Sequence, residues 1–494
     1  MNSHKLNSPK DYDIQLINLP AFTSLSPSLA LASLGTYLYE RGYRVHVKDY
    51  SFEFFKKEFK NLKISNKFDF NIPSFFIFGI SNWLNFSEYL FPDDFIPQNL
   101  LKSLCPVSND LYSDVYLQLK NQKKVIQNVI DKYVREITSV SVNNIGFSIN
   151  IGNGAVSLYA AKKIKESFPE KRIIFGGSET SFTYRPKFYL SFPFIDVVIS
   201  HFQGEIPLLD LIKSNSVLEL ARGIGFMKNN KPFFTPSPPL IEINDLPIPN
   251  YDMIETKEKF EVINLFFTRG CTSKCLFCNE KSFFNQYLTK SPQKVIDEIT
   301  FYQNQGFEKF ETIDQSFNNS PQILNEIVER LLENNIKIEW GGNAECYKMT
   351  EKLLDKSVKS GLTHCYYGIE SGSKKILSLM KKPLNLDHVI KLMKMGKNHG
   401  LKQYTYIIVG FPGETNDDFE QTRDFLARNQ TLIEDSIISI FTLLNGSEMF
   451  NNELIKPIQL QPSILNAFTY ESLDGVTNDE RKHRYLNLKN KNSK

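Results

Sequence analysis

The sequence has no long apolar run, no glycine-rich phosphate loop, little net charge and few cysteines. Each absence closes a class. The greasiest stretch, FFIFGISNWLNF at 75–86, is broken by Asn82 and Asn85 and falls short of the ~20 apolar residues of a membrane helix. The opening MNSHKLNSPKDYD has no apolar signal-peptide core. A net charge of +3 over 494 residues gives no electrostatic case for a nucleic-acid or membrane-surface partner. NLPAFTSLSP, after the first expected strand, is not G-x-G-x-x-G, which argues against dinucleotide binding. The six cysteines, three of them in one short stretch, do not make a spaced disulfide framework. A reducing cytoplasm suits them better, with the cluster reserved for metal chemistry.

What remains is a globular composition, 41% hydrophobic and 23% charged, long enough for two or three domains. Two strand–helix arrays stand on either side of a proline-rich join. The first runs DIQLINLP, SLALASLGTYLYERG, VHVKDY, then NIGFSIN, AVSLYAAKKIKESF, RIIFGG and FIDVVIS. That alternation predicts a doubly wound parallel sheet over 11–225. An insertion at about 51–138, rich in Phe, Lys and Asn, reads as mostly helical. Residues 232–250 carry six prolines, and 226–258 is expected as a semi-rigid linker.

The second array, 259–456, offers six strands: VINLFFT, FEKFETID, IKIEW, THCYYGIE, YTYIIVG and SIISIFTLL. Gly306, Gly361 and Gly400 each stand where a helix between them should stop. Six such units predict an open partial barrel of the TIM type. The tail, 457–494, ends in RKHRYLNLKNKNSK and is expected as a solvated terminus.

CTSKCLFC places Cys271, Cys275 and Cys278 in the loop after the first barrel strand, spaced C-x3-C-x2-C. Loops at the carboxyl ends of parallel-barrel strands carry chemistry. Three thiolates on a four-iron cluster leave one iron without a protein ligand. The competing reading, structural zinc, needs a closed set of four. Cys346, Cys365 or His364 could supply the fourth, but no second C-x2-C pair exists. Cys105, Cys346 and Cys365 are too dispersed for an auxiliary cluster.

The C-x3-C-x-aromatic-C loop in a six-unit barrel resembles the radical SAM superfamily, over residues 260 to about 445. The resemblance implies a [4Fe–4S] cluster whose open iron is chelated by S-adenosylmethionine, with one-electron cleavage to a 5′-deoxyadenosyl radical. An external one-electron donor such as flavodoxin or ferredoxin is implied too. It further implies that Phe277 lies against adenine and that Asp314 meets the SAM amino group. Glu370 and Ser371 would bond the ribose, with Val409 and Gly410 beside the adenine.

The first array, from NLP…SPSLALASLGTYLYERGYRVHVKDY through IIFGGSETS and FIDVVISHFQGE to the join, resembles the cobalamin-binding domain of one large radical SAM subclass. On that resemblance Ser148 would bond the cofactor's tail, and Gly176 and Gly177 would make room for it. Residues 18–28 contain no His, Cys or Asp, so no first-loop residue would ligate cobalt, a lack that the subclass shares. The reading implied is a cobalamin-dependent radical SAM methyltransferase acting on an unactivated carbon of a small molecule or peptide. Ring closure, oxidation or rearrangement without methyl transfer is the alternative, and a non-enzymatic iron–sulfur or cobalamin sensor the second. The residues name no catalytic side chain and no substrate.

Overall fold

The computed structural model describes residues 11–21, 26–58, 86, 90, 123–150, 152–181, 185–214, 217–284, 286–458, 467–468 and 470–492. The first sheet is built from β1 (Ile14–Asn18), β2 (Val45–Asp49), β3 (Asn144–Ser148), β4 (Arg172–Gly176), β5 (Val197–Ile199), β6 (Ile224–Lys228), β7 (Lys231–Phe234) and β8 (Ile254–Glu255). Their order is β7-β6-β5-β4-β3-β1-β2-β8, parallel from β5 to β8 and antiparallel through β6 and β7. β1 is buried at all five residues because both of its faces are covered. Its side chains alternate: Ile14 and Leu16 enter one core, Ile17 the other.

The expected linker is corrected here. Residues 226–258 are held by the first sheet, β6–β7 extending one edge and β8 the other. The prolines stiffen the connection but do not keep its backbone from pairing, because they fall mainly between the strands.

After β9 (Val262–Leu265) comes a separate short antiparallel pair, β10 (Thr268–Arg269) with β11 (Leu288–Thr289), and the second sheet continues with β12 (Lys309–Thr312), β13 (Glu339–Ala344), β14 (Leu362–Glu370), β15 (Lys402–Val409) and β16 (Asp435–Ile440). All six expected barrel strands are present, parallel, in the order β16-β15-β14-β13-β12-β9. The helices between them start where side-chain caps occur. Ser291 and Ser320 each cap a helix that begins with proline, and Thr415 closes a capping box with Asp418. Gly306, Gly361 and Gly400 end helices at φ +92°, +103° and +76°.

One apolar core runs through both modules, from Leu16 and Ile174 through the helix Leu29–Tyr39 to Tyr251, Ile263 and Phe310. Of the insertion, the described part is a short helix at Tyr50–Glu53, a π turn at Phe54–Glu58, the long helix Lys123–Ser139, and Phe86 and Leu90, both buried in the second core; the rest, with Cys105, lies outside the described residues.

The basic tail is also corrected. It forms the helix Asn478–Asn492, which packs on the barrel with Arg481 and Arg484 each 2% exposed and Tyr485 and Leu488 in the core. Arg484 meets the buried Glu414 at 2.9 Å, and Arg481 donates to the Gly410 carbonyl at 3.0 Å. The polar composition hid a buried stripe at 481, 484, 485 and 488, the spacing of one helical face.

Candidate metal centre and interdomain cavities

The cysteine loop is fixed at its base, its middle and its far end. At the base, β10 and β11 pair across it, and Gly270 sits at φ +93°, where an added Cβ would come within 2.7 Å of the Gln286 carbonyl. In the middle, Leu276 donates to the Met380 carbonyl and accepts from Met449 N, while its side chain packs with Met380, Phe411 and Met449. At the end, Cys278 N donates to the Cys275 carbonyl. All three thiols are free and partly exposed. Burial pushes Cys275 up to about 11 and Cys278 to about 12, so loading a metal would release protons from them. Among the described residues no group of three His, Cys, Asp or Glu could hold a single metal ion. Cys346 and Cys365 lie buried in the apolar core.

Asp314 braces this base. Its carboxylate accepts from Phe267 N, Thr268 N and Thr268 Oγ1, the shortest at 2.6 Å. Burial raises it to about 6 against the pull of these bonds. Expected as a SAM contact, it is spent on the backbone that leads into Cys271, although it also lines the first cavity. Arg269, one residue earlier than Gly270, reaches Glu205 of the first module at 3.1 Å.

Glu370 ends β14 at φ +65° and is 7% exposed. It caps no helix; Ser373 does that. Its Oε1 meets Lys382 at 3.0 Å, and Glu345 meets the same ammonium at 3.3 Å. Burial lifts Glu370, and the two carboxylates hold Lys382 well above the usual lysine range despite its burial. Lys382 also acts on the Cys275 thiol, favouring its thiolate. Gly368 is needed for this pair, since a Cβ there would meet Glu370 Oε1 and Lys382 Nζ at 2.6 Å each.

The other expected SAM contacts turn toward packing. Phe277 packs beside Leu276 on that loop's own apolar cluster. Ser371 is buried, with its hydroxyl on Thr422 and Ser373 N. Val409 is in the core. Gly410 makes room for Arg481, whose Cγ would lie 2.4 Å from an added Cβ. Polar and small residues at strand ends first satisfy their own turns.

Two cavities lie between the modules. The first, about 280 Å³, follows the carboxyl ends of the first sheet past Gly146, Ser148, Gly176 and Gly204 to Arg269, Gly270 and Asp314. Ligands of doubly wound sheets bind at such ends, where strand order reverses, here between β1 and β3. The slot is narrow and apolar between small residues, and it fits an inserted cofactor tail. Ser148 lines both cavities, and its hydroxyl has no hydrogen-bond partner among the described residues. Gly176 borders the slot, with Ile199 3.3 Å from an added Cβ. Gly177 lines both cavities as well, and at φ +112° an added Cβ would strike the Ile149 backbone at 2.5 Å, so its turn also requires glycine. His201 also lines the slot, with Nδ1 on the Gln203 backbone.

The second cavity, about 1200 Å³, faces the inner wall of the barrel. Glu311, Gly341 and His364 are in register across three strands. The His364 ring lies over Gly341, where a Cβ would come within 2.3 Å, and reaches Glu311 at 2.8 Å. Tyr366 stacks on Tyr404 at 4.8 Å beside them. The sequence offered His364 only as a spare zinc ligand; the strand register, with a glycine between acid and histidine, is what pairs it with Glu311.

The family model that matches is the radical SAM superfamily, over residues 265–426. An uncharacterized methyltransferase of Pyrococcus horikoshii is 27% identical over 332 residues, covering 64% of this chain and 70% of that protein. The cytidylyl-2-hydroxyethylphosphonate methyltransferase of Streptomyces wedmorensis is 24% identical over 374 residues, 66% of this chain and 68% of that protein. Among solved structures, the cobalamin-dependent S-adenosylmethionine radical enzyme OxsB, with aqua-cobalamin and S-adenosylmethionine bound, matches with a TM-score of 0.64 at 15% identity, over 96% of this chain and 66% of that one. This chain thus spans just under two thirds of OxsB. The radical S-adenosylmethionine methyltransferase TsrM of Kitasatospora setae matches with 0.62 at 13%, over 96% and 82%. The chain shares the two-module fold of these structures along nearly its whole length, and its cysteine loop lies inside the stretch that matches the radical SAM model.

Proposed function

We propose that this chain is a cobalamin-dependent radical SAM enzyme that methylates an unactivated carbon of a small molecule. One observation carries the reading: the base of the three-cysteine loop and the carboxyl ends of the doubly wound sheet line the same cavity. When bound, the cluster with S-adenosylmethionine supplies a carbon-centred radical oxidant, and cobalamin supplies a transferable methyl group.

The protein's part is to hold these groups in register. Cys271, Cys275 and Cys278 hold the cluster, on a loop braced by Asp314 and tied to the first module through Arg269 and Glu205. Lys382, between Glu345 and Glu370, sets the charge near Cys275. The slot beside Gly176 holds the cofactor tail, with Ser148 as its hydrogen-bond partner. Substrate enters the larger cavity, where Glu311, backed by His364, and the Tyr366–Tyr404 stack form the wall. The electron comes from an external one-electron carrier. A cytoplasmic setting agrees with the chemistry of a reduced cluster; among the described residues no helix is long and apolar enough to cross a membrane.

An anaerobic magnesium-protoporphyrin IX monomethyl ester cyclase of Rubrivivax gelatinosus, 27% identical over 277 residues, keeps ring closure as the second reading. The test is product analysis of reconstituted, reduced protein with S-adenosylmethionine and cobalamin. Both 5′-deoxyadenosine and S-adenosylhomocysteine are expected. Deoxyadenosine without S-adenosylhomocysteine would replace methyl transfer by the second reading; neither product would end the enzyme reading.

A further inference from the structure

Two lysines stand at the cysteine loop, and their surroundings differ. Lys382 is neutralised twice, by Glu345 and Glu370. Lys348 is half-buried, and its ammonium donates to Thr272 Oγ1 at 2.7 Å, Asn319 Oδ1 at 2.8 Å and Ser273 Oγ at 3.3 Å. Among the described residues these acceptors are all neutral oxygens, and no carboxylate pairs with it. Asn319 Oδ1 in turn accepts from the Cys271 thiol at 3.5 Å, and the thiol sulfur accepts from Ser273 N at 3.4 Å. The free ammonium is therefore woven into the shell of the first cysteine.

A partly desolvated cation without a counter-charge is costly. An anion close to Cys271 would relieve that cost. Three thiolates make an iron–sulfur cluster such an anion, and its reduction by one electron adds one more negative charge. A fixed positive charge beside it favours the reduced form, and net charge around a cluster is among the terms that set its potential.

We propose that Lys348 is a positioning residue that raises the reduction potential of the cluster held by Cys271, Cys275 and Cys278, easing entry of the single electron. The proposal rests on those three cysteines holding a cluster. The balance is simple: one electron enters from an external reductant, no bond breaks and no proton moves. Three neutral bonds lock the ammonium in place, so the charge stays at a fixed distance from Cys271 instead of swinging into solvent.

The experiment compares wild type with Lys348→Gln, Lys348→Met and Lys348→Arg, each reconstituted anaerobically and assayed for iron and sulfide. A dithionite titration followed by electron paramagnetic resonance, with S-adenosylmethionine absent, then reads the midpoint. The Gln and Met variants are expected to keep about four irons per chain, the content of one cluster. Their one-electron equilibrium constant should fall about tenfold, a lowering of about 59 mV. The Arg variant should stay at the wild-type midpoint. Neutral variants with full iron and an unshifted midpoint would overturn the proposal. So would loss of iron from Lys348→Gln, which keeps an amide donor there, since Lys348 would then be an anchor of the loop. Wild-type protein that takes up no cluster would instead sink the reading beneath it.

Discussion

Asp314 is the residue on which the cysteine loop hangs. Three donors from residues 267 and 268 converge on one buried carboxylate, and an amide in its place would turn an NH₂ group toward at least one of those N–H groups. Asp314→Asn is expected to destabilise the barrel by about 1–3 kcal/mol, the cost of leaving a buried donor unsatisfied, and to lower the iron retained after reconstitution. Urea denaturation and iron analysis read the two effects. Full iron and unchanged stability would mean that the β10–β11 pair alone fixes the base. Weakened S-adenosylmethionine binding with full iron would restore the role that the family resemblance gives this side chain. The same scale explains what was legible in the sequence. The three cysteines could be read because nothing in a turn requires that spacing. Ser371 and Gly410 are harder to read, because hydroxyls and glycines at strand ends also serve their own turns.

At the scale of elements, strand order and helix ends were legible, since periodicity, caps and terminal glycines are local. Long-range pairing was not. The Asn229–Asn230 turn, with both residues at positive φ, marks a hairpin at 224–234, but nothing near it says which sheet edge it joins, and nothing near Glu414 says that an arginine seventy residues later will cover it. That helix carries its own prediction. Arg484 is 3% and Glu414 0% exposed at the side chain, with two contacts from Nη1 to Glu414 and one from Nη2 to Asn416. Arg484→Met leaves a carboxylate buried without its partner, which costs about 3–5 kcal/mol. A fall in thermal midpoint is expected, most of it recovered when Glu414→Met is added. A single variant as stable as wild type would mean that the C-terminal helix does not seal the barrel as an ion-paired element.

At the scale of the whole molecule the two modules share one core, the Arg269–Glu205 pair and the cavities between them. Binding in the slot can still be tested apart from the cluster at a position on the first module, away from the module that carries the cysteines. Gly176 is the position to fill. A leucine there meets Ile199 and then the slot, while the backbone keeps an ordinary conformation. Gly177 gives no such separation, since any side chain there collides with the Ile149 backbone and disturbs the turn itself. Gly176→Leu is expected to abolish cobalamin uptake, followed by its visible absorption after desalting, and to leave the iron content at the wild-type level. Gly177→Ala is expected to lower thermal stability whether cobalamin is added or not. If Gly176→Leu takes up cobalamin as wild type does, the slot is not where the cofactor's tail lies, and the larger cavity must accommodate the cofactor entirely. Loss of iron as well as cobalamin would show that the shared core passes the disturbance from one module to the other, and the two sites could then no longer be treated as separable.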